Sequence, residues 1–83
     1  MKAQYRKAFN ALKQLGCPVF ERADHPTRFL ISAEDPNSYD WAEYDGRADW
    51  EHDNISPVLR STLSKFDLYA EWESPGCLVV YTI

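Results

Sequence analysis

The sequence predicts an α+β domain, a small antiparallel β-sheet of four to five strands with two amphipathic helices on one face. Two segments have helical periodicity, and two pairs of short apolar segments are joined by turns that contain proline or glycine. Strands and helices do not alternate as they do in nucleotide-binding βαβ folds. With 83 residues, the chain is expected to form a single domain over residues 1–83.

The first helix is predicted over residues 2–15. Its apolar residues recur every three or four positions, which places them on one stripe, and most of its basic and amide residues fall on the other side. Gly16 suits the position after the helix, and Pro18 prevents its continuation. The stripe consists of Tyr5, Ala8, Phe9, Leu12 and Leu15.

A β-hairpin is predicted next, with strands over residues 18–23 and 28–32. The sequence Asp-His-Pro-Thr between them has the composition of a turn. The hairpin is expected to contribute Phe20, Phe29 and Ile31 to the core.

The middle of the chain is predicted to contain a loop over residues 33–38 and a strand over residues 39–44. Alternation in "YDWAEY" places Trp41 and Tyr44 on opposite faces, with Trp41 the better core residue. An Asp-Gly turn follows. Residues 47–53 fit either a short pairing strand or an irregular loop.

A second helix is predicted over residues 57–66, because Ser56 can cap it and Pro57 suits its first turn. Two strands, over residues 67–72 and 77–83, form the closing hairpin around a Ser-Pro-Gly turn. The residues expected to be buried are Phe9, Leu12, Phe20, Phe29, Ile31, Leu59, Leu63, Trp72 and Val80.

The two cysteines, Cys17 and Cys77, each lie beside an apolar segment and are expected to be free, buried thiols. A disulfide between adjacent strands is geometrically feasible but disfavoured in a reducing compartment. No apolar run approaches the length of a membrane span, and the N-terminus lacks the apolar core of a secretory signal. We therefore expect an intracellular protein with no membrane association.

Charge is distributed unevenly. Residues 2–13 carry four basic residues and no acid, whereas residues 34–53, here called the acidic aromatic segment, carry eight acids and one arginine. The same segment holds Tyr39, Trp41, Tyr44 and Trp50. The molecule is therefore polarised along its sequence.

The acidic aromatic segment lacks the spacing of the common metal-binding motifs. Placing Gly46 at the glycine of an EF-hand loop puts Trp41 at the first ligand position and His52 at the last, so that motif is absent. Three carboxylates in "DWEHD" (49–53) could share one face of a strand and hold a divalent cation weakly, but such spacing arises often by chance. Zinc-type cysteine or histidine pairs are also missing. No metal site and no cofactor is predicted.

Catalytic motifs are equally weak. Asp24 and His25 lie in the predicted turn next to Pro26, where polar residues are common. A pairing of Cys17 with His25 remains open, but no orienting group or oxyanion site accompanies it. The prediction is that the protein is not an enzyme and has no catalytic residues.

Direct nucleic-acid binding is disfavoured because the net charge is −4. The basic face of the first helix is a local exception, which we interpret as an ordinary solvated surface. Whether it also contacts a partner stays open.

The acidic aromatic segment is the best candidate for a contact surface. Closely spaced carboxylates repel one another, yet their field resembles that of a phosphate backbone and attracts clefts rich in Lys and Arg. Aromatic side chains add the contact area that charge alone lacks. The alternative is that the aromatic residues are core and the acids merely solvated. The predicted partner-binding residues are Asp40, Glu43, Tyr44, Asp45, Asp49, Trp50, Glu51 and Asp53.

The C-terminal third, "NISPVLRSTLSKFDLYAEWESPGCLVVY", resembles the tails of small phage and plasmid accessory proteins. Shared features are an Asn-x-x-Pro helix start, an aromatic-Glu-Trp strand, a Pro/Ala-Gly turn and a final strand, and they cover residues 54–81. Size and acidity are also similar to those of many anti-CRISPR proteins, a class without a common motif.

This resemblance implies a small inhibitor of phage or mobile-element type that acts in the cytoplasm of a bacterial host. Its expected partner is a host protein complex with a basic nucleic-acid-binding surface, such as a CRISPR effector, and the inhibitor would be a monomer or weak dimer. The alternative is a phage or plasmid structural or assembly protein that self-associates through an apolar sheet edge and has no catalytic activity.

Overall fold

The computed structural model describes residues 1–44 and 54–83, and within them two α-helices accompany a four-stranded antiparallel sheet. The strand order is β1-β2-β4-β3, so the two hairpins join through β2 and β4. The predicted α+β class is confirmed. The elements are α1 (Ala3–Gln14), β1 (Val19–Phe20), β2 (Leu30–Ser32), a 3-10 helix (Ser38–Asp40), α2 (Pro57–Ser64), β3 (Leu68–Ser74) and β4 (Cys77–Thr82).

Helix α1 buries the predicted apolar stripe, with one exception. Tyr5, Ala8, Phe9 and Leu12 are buried, whereas Leu15 is 55% exposed. Leu15 lies at the C-cap, where the helix ends and the chain turns away through Gly16, whose φ of +89° falls in the left-handed region that favours glycine.

Helix α2 begins where its capping residues predict. The Ser56 hydroxyl accepts a hydrogen bond from the Leu59 backbone N–H at 3.1 Å, and Pro57 occupies the first helical position. The helix ends at Ser64, two residues earlier than predicted, and the chain then reaches β3 through Asp67, whose φ is +58°.

The main core lies between the two helices and one face of the sheet. Phe29 is fully buried at its centre and makes edge-to-face contacts with Tyr5 and Phe9, with ring centroids 6.4 and 5.4 Å apart. Seven of the nine residues expected to be buried are buried, namely Phe9, Leu12, Phe29, Ile31, Leu59, Leu63 and Val80.

Phe20 and Trp72 are only partly buried, so the prediction was wrong for them. Phe20 points to the opposite face of the sheet, where it packs against a second, smaller apolar cluster of Leu30, Cys77 and Val79. Trp72 packs at the margin of the main core, where its ring meets that of Tyr44. Both residues therefore contribute contact area without being enclosed.

The β1–β2 connection, residues 21–29, helps to cover the second cluster. The Arg28 guanidinium lies 5.0 Å from the centroid of the Tyr81 ring, and Tyr81 itself packs against the cluster. Leu30 and Val79 are fully or almost fully buried on this side. Apolar packing therefore exists on both faces of the sheet, which the sequence pattern did not predict.

The predicted strand over residues 39–44 is wrong. Residues 38–40 form a single 3-10 turn, and Ala42 alone makes an isolated antiparallel bridge with Ile55. The Asp35 carboxylate accepts a hydrogen bond from the Asn37 backbone N–H at 2.8 Å. Such local side-chain bonds compete with a strand, and here they outweigh the alternating pattern.

Both cysteines are free and buried, as predicted, and they lie on opposite faces of the sheet. Burial raises the pKa of the Cys17 thiol to about 12, so almost no reactive thiolate forms in the folded protein at neutral pH. Among the described residues, no helix has the length and apolarity needed to cross a membrane.

This arrangement predicts the outcome of thiol labelling. Without any reducing agent, both cysteines of the denatured protein should be alkylated, whereas Cys17 in the folded protein should react far more slowly. Mass spectrometry of samples quenched over time measures both rates. Labelling that requires prior reduction would contradict the assignment of free thiols.

Candidate functional site

Three of the predicted partner-binding residues lie within the described part of the chain. Asp40 is exposed and Tyr44 is 50% exposed, in agreement with a surface role, but Glu43 is only 7% exposed. The prediction of an exposed carboxylate at Glu43 is therefore wrong. The other predicted residues, Asp45, Asp49, Trp50, Glu51 and Asp53, lie outside the described residues.

Hydrogen bonds join the two parts of the chain that flank residues 45–53, and Glu43 takes part in them. Its backbone N–H donates to the Asn54 carbonyl at 3.0 Å, and the Ser56 N–H donates to the Trp41 carbonyl at 2.8 Å. The Asn54 side-chain amide also donates to the Tyr44 carbonyl at 3.0 Å. These bonds, with the Ala42–Ile55 bridge, fix both flanks against the core.

The aromatic residues of this region divide into core and surface. Trp41 is 8% exposed and belongs to the main core, as predicted, whereas Tyr39 is 62% exposed. Tyr39 and Trp41 would share one face of a strand, but the 3-10 turn separates them. Tyr44 rests its ring edge against Trp72, with centroids 5.2 Å apart, and keeps half of its surface in solvent.

Within the described part of the acidic aromatic segment, the exposed residues include Glu34, Tyr39, Asp40 and Tyr44. Trp41 anchors the backbone in the main core. The region thus combines charge with exposed aromatic area, the two properties for which the acidic aromatic segment was selected.

A second concentration of charge, which the sequence did not reveal, lies at the β1–β2 connection. The Arg22 guanidinium makes hydrogen bonds to both carboxylate oxygens of Asp24, at 2.6 and 2.9 Å, and to both of Glu73, at 2.7 and 2.8 Å. His25 Nε2 lies 3.0 Å from Glu73 Oε2. We call Arg22, Asp24, His25 and Glu73 the Arg22 cluster.

The backbone of β3 explains why Glu73 reaches this connection. Trp72 pairs with Leu78 and Ser74 pairs with Cys77, so Glu73 is an extra residue in a β-bulge. Bulges re-aim side chains that would otherwise follow the pleat. Here the bulge brings a carboxylate from one hairpin to Arg22 of the other.

Electrostatics within the cluster follow from these contacts. Hydrogen bonds from Arg22 hold the pKa of Glu73 and that of Asp24 below their usual values, and those same two carboxylates raise the pKa of Arg22 further above its usual range. The contact ties the β1–β2 connection to the edge hairpin and so helps to hold it over the second apolar cluster.

The lowered pKa values predict a pH dependence of stability. A carboxylate with a depressed folded pKa stabilises the protein above its unfolded pKa, and that contribution is lost as pH falls through the folded value. Urea denaturation between about pH 6 and about pH 2 should therefore show a loss of stability that is smaller in Arg22→Gln, which lacks the cluster's cation. Equal losses in parent and variant would contradict this assignment.

Sequence reasoning missed the cluster because Arg22 and Glu73 are 51 residues apart and belong to different hairpins. In the sequence, Asp24 and His25 belong to a predicted turn. The pairing of Cys17 with His25 that had been left open is not formed, since His25 contacts Glu73 and Cys17 lies in the main core. The sequence signal that could have indicated the cluster was Asp24, which lies between Arg22 and His25.

A pocket of about 230 Å³ opens beside β3, the edge strand of the sheet. Its apolar lining comes from α2, from β3 and from Ile55 and Ile83. Tyr69, which is 40% exposed, also lines the pocket. The apolar lining residues are Ile55, Leu63, Leu68, Ala70 and Ile83. Of these, Ile83 is 77% exposed, whereas the other four are buried.

Comparison with known proteins adds no functional information. No protein-family model, curated protein or solved structure matches this chain. The similarity to phage accessory and anti-CRISPR proteins stays a prediction, and function has to be inferred from the charges, exposures and contacts described above.

Proposed function

We propose that the protein is a stoichiometric protein-binding inhibitor that places its acidic aromatic segment in a basic, nucleic-acid-binding groove of a partner. The observation that carries the proposal is the excess of eight acids over one arginine in residues 34–53, combined with two tyrosines that are 62% and 50% exposed. Both tyrosines, Tyr39 and Tyr44, flank acids of this segment.

Charge supplies the long-range part of the interaction. A dense group of carboxylates produces a negative potential like that of a nucleic-acid backbone, which accelerates encounter with a groove lined by Lys and Arg. The opposite polarity of the first helix, with four basic residues and no acid over residues 2–13, favours one orientation over others.

Aromatic contact supplies the short-range part. Tyrosine is enriched among interface residues that dominate binding energy, because its ring buries a large area and its hydroxyl can still form hydrogen bonds. Tyr44 is held against Trp72, so little side-chain freedom is lost when a partner covers its free face.

The scaffold supports this use of the segment. Trp41 is anchored in the main core, and the Ala42–Ile55 bridge and the Asn54–Tyr44 hydrogen bond fix the flanks of residues 45–53. Residues whose backbone the core fixes before binding, such as Trp41 and Tyr44, require less ordering on binding.

The identity of the partner follows from the sequence resemblance. We propose a bacterial host defence complex that holds nucleic acid, such as a CRISPR effector, in the cytoplasm of that host. The inhibitor would bind as a monomer or weak dimer and would act by occupancy, without catalysis and without a cofactor.

A second candidate is an assembly protein of a phage or plasmid that self-associates through the β3 edge. The apolar pocket beside β3 and the exposed ring of Tyr69 favour it. An edge strand presents backbone groups that can pair with another chain. In this candidate the acidic surface is only solvated exterior.

Affinity capture from a bacterial lysate separates the two candidates. The tagged protein should recover a large nucleic-acid-binding complex at low salt, and recovery should fall sharply as ionic strength rises. Tyr39→Ala should reduce recovery, whereas Tyr69→Ala is the matched control, an exposed tyrosine on β3. The opposite outcome is that the tagged protein recovers only further copies of this chain, at any salt concentration, and that Tyr69→Ala abolishes the recovery. That outcome would favour self-association and contradict the proposed inhibitor function.

A further inference from the structure

We propose that the Arg22 cluster doubles as a binding site for a divalent transition-metal ion of the Zn²⁺ type, with Asp24, His25 and Glu73 as ligands and with Cys77 as the fourth after its side chain moves. This site lies on the β1–β2 connection and the bulge of β3, apart from the acidic aromatic segment, and it does not depend on the proposed inhibitor function.

The spacing of the donor atoms fits one small cation. One ligand atom each from Asp24, His25 and Glu73 all lie within 4.8 Å of one another. His25 Nε2 is 3.0 Å from Glu73 Oε2 and 4.0 Å from Asp24 Oδ2. Tetrahedral zinc with bonds of about 2.0–2.1 Å places neighbouring N and O ligands roughly 3.3 Å apart. The two distances bracket that separation.

Cys77 supplies a fourth donor only after its side chain moves, because its sulfur is not among the donor atoms that lie within 4.8 Å of one another. Its thiol contacts Glu73 Oε1 at 3.5 Å, close to the wider separation that a sulfur ligand requires. One imidazole, one thiolate and two carboxylates form a mixed set of nitrogen, sulfur and oxygen donors, which favours zinc over the all-oxygen ligand sets of calcium and magnesium.

The ligands also come from separate elements that are already held in place. Asp24 and His25 belong to the β1–β2 connection, Glu73 to the bulge and Cys77 to the first position of β4. Cys77 is buried in the second apolar cluster, and the His25 side chain is 22% exposed. A metal ion would therefore cross-link the two hairpins at the edge of a packed region, with an open side for entry.

Arg22 is the competitor for this site. Its guanidinium now forms hydrogen bonds with both carboxylates and reaches the Cys77 sulfur at 3.9 Å. The Arg22 side chain is 36% exposed, so it can turn into solvent when a cation replaces it. A divalent ion carries two positive charges, which equal the charge of the guanidinium and that of the thiol proton that it would displace. The exchange therefore leaves the formal charge of the site unchanged and releases one proton.

Titration of the full chain with Co²⁺ tests the site, because tetrahedral cobalt absorbs visible light and a thiolate ligand adds a charge-transfer band. One ion per chain should bind, with both spectral features. His25→Gln should weaken binding by at least about tenfold, since loss of even an outer-shell partner has that effect. His52→Gln, which removes the chain's other histidine, is the matched control and should leave binding unchanged.

Two further variants keep the test decisive. Cys77→Ser should abolish the charge-transfer band, and Arg22→Gln, which removes the competing cation, should bind Co²⁺ and Zn²⁺ more tightly than the parent. The proposal is overturned if a folded His25→Gln protein binds as tightly as the parent, if binding is lost in His52→Gln instead, or if folded Arg22→Gln binds more weakly. Absence of any saturable binding overturns it as well.

Discussion

Leu12→Ala is expected to lower the free energy of unfolding by about 2–5 kcal/mol. Leu12 has no exposed surface and lies in the main core, where α1 meets α2 and the sheet. Truncation removes the burial of several methyl and methylene groups and leaves a cavity that the packed neighbours fill only partly. Urea denaturation monitored by tryptophan fluorescence measures the change.

Leu15→Ala is the matched control, because it makes the same chemical change on the same part of the chain. Leu15 is 55% exposed at the C-cap of α1, so its truncation should change the free energy of unfolding by no more than about 0.5 kcal/mol. Similar losses of unfolding free energy in the two variants would mean that α1 does not bury the apolar stripe that includes Leu12.

Neutralising Asp45, Asp49 and Glu51 together, to Asn, Asn and Gln, is expected to slow association with the partner while leaving folding intact or slightly improved. Removing three like charges from the acidic aromatic segment reduces repulsion within it and weakens the field that steers encounter. The association rate at low salt should fall most, and the difference from the parent should shrink as salt rises. Stopped-flow or surface-based kinetics against the captured partner give the rates.

The control for this triple variant makes the same change in net charge elsewhere. Glu21→Gln, Asp67→Asn and Glu71→Gln remove three exposed acids that lie outside the acidic aromatic segment. If net charge alone sets the rate, both triple variants slow association equally, and the segment has no special role. The proposal requires a much smaller effect in the control.

Periodicity and capping predicted both helices, and turn residues between short apolar segments predicted the two hairpins, because those signals are local. The spacing of Tyr5, Ala8 and Leu12 identified the buried face of α1, and Ser56 with Pro57 identified the start of α2. Chain direction then required antiparallel pairing within each hairpin. The pairing of β2 with β4, which joins the hairpins, is long-range and has no comparable local signal.

Local hydrogen bonds explain the main error. Alternation over residues 39–44 favours a strand, but the polar residues before it can form turns with their own backbone. The resulting 3-10 turn exposes Tyr39, and the Ala42–Ile55 bridge then draws Glu43 inside. Period-two patterns in a segment this short predict a strand only when no side chain competes for the backbone.

Tertiary contact explains what was missed entirely. The Arg22 cluster depends on a bulge at Glu73 and on the approach of two hairpins, neither of which is visible in composition or spacing. Of the proposed contact residues, Asp40 and Tyr44 are exposed as the sequence predicted. Charge density is a property of sequence, so it could be identified early, whereas the site formed by distant residues could not.

Competition with nucleic acid tests the central claim most directly. Labelled nucleic acid bound to the captured partner is titrated with the parent protein and with the Asp45, Asp49 and Glu51 triple variant, and the displaced fraction is measured by fluorescence anisotropy. The account predicts that the parent displaces the nucleic acid stoichiometrically and that the triple variant requires a higher concentration. Simultaneous binding of protein and nucleic acid to the partner would contradict occupancy of its basic groove.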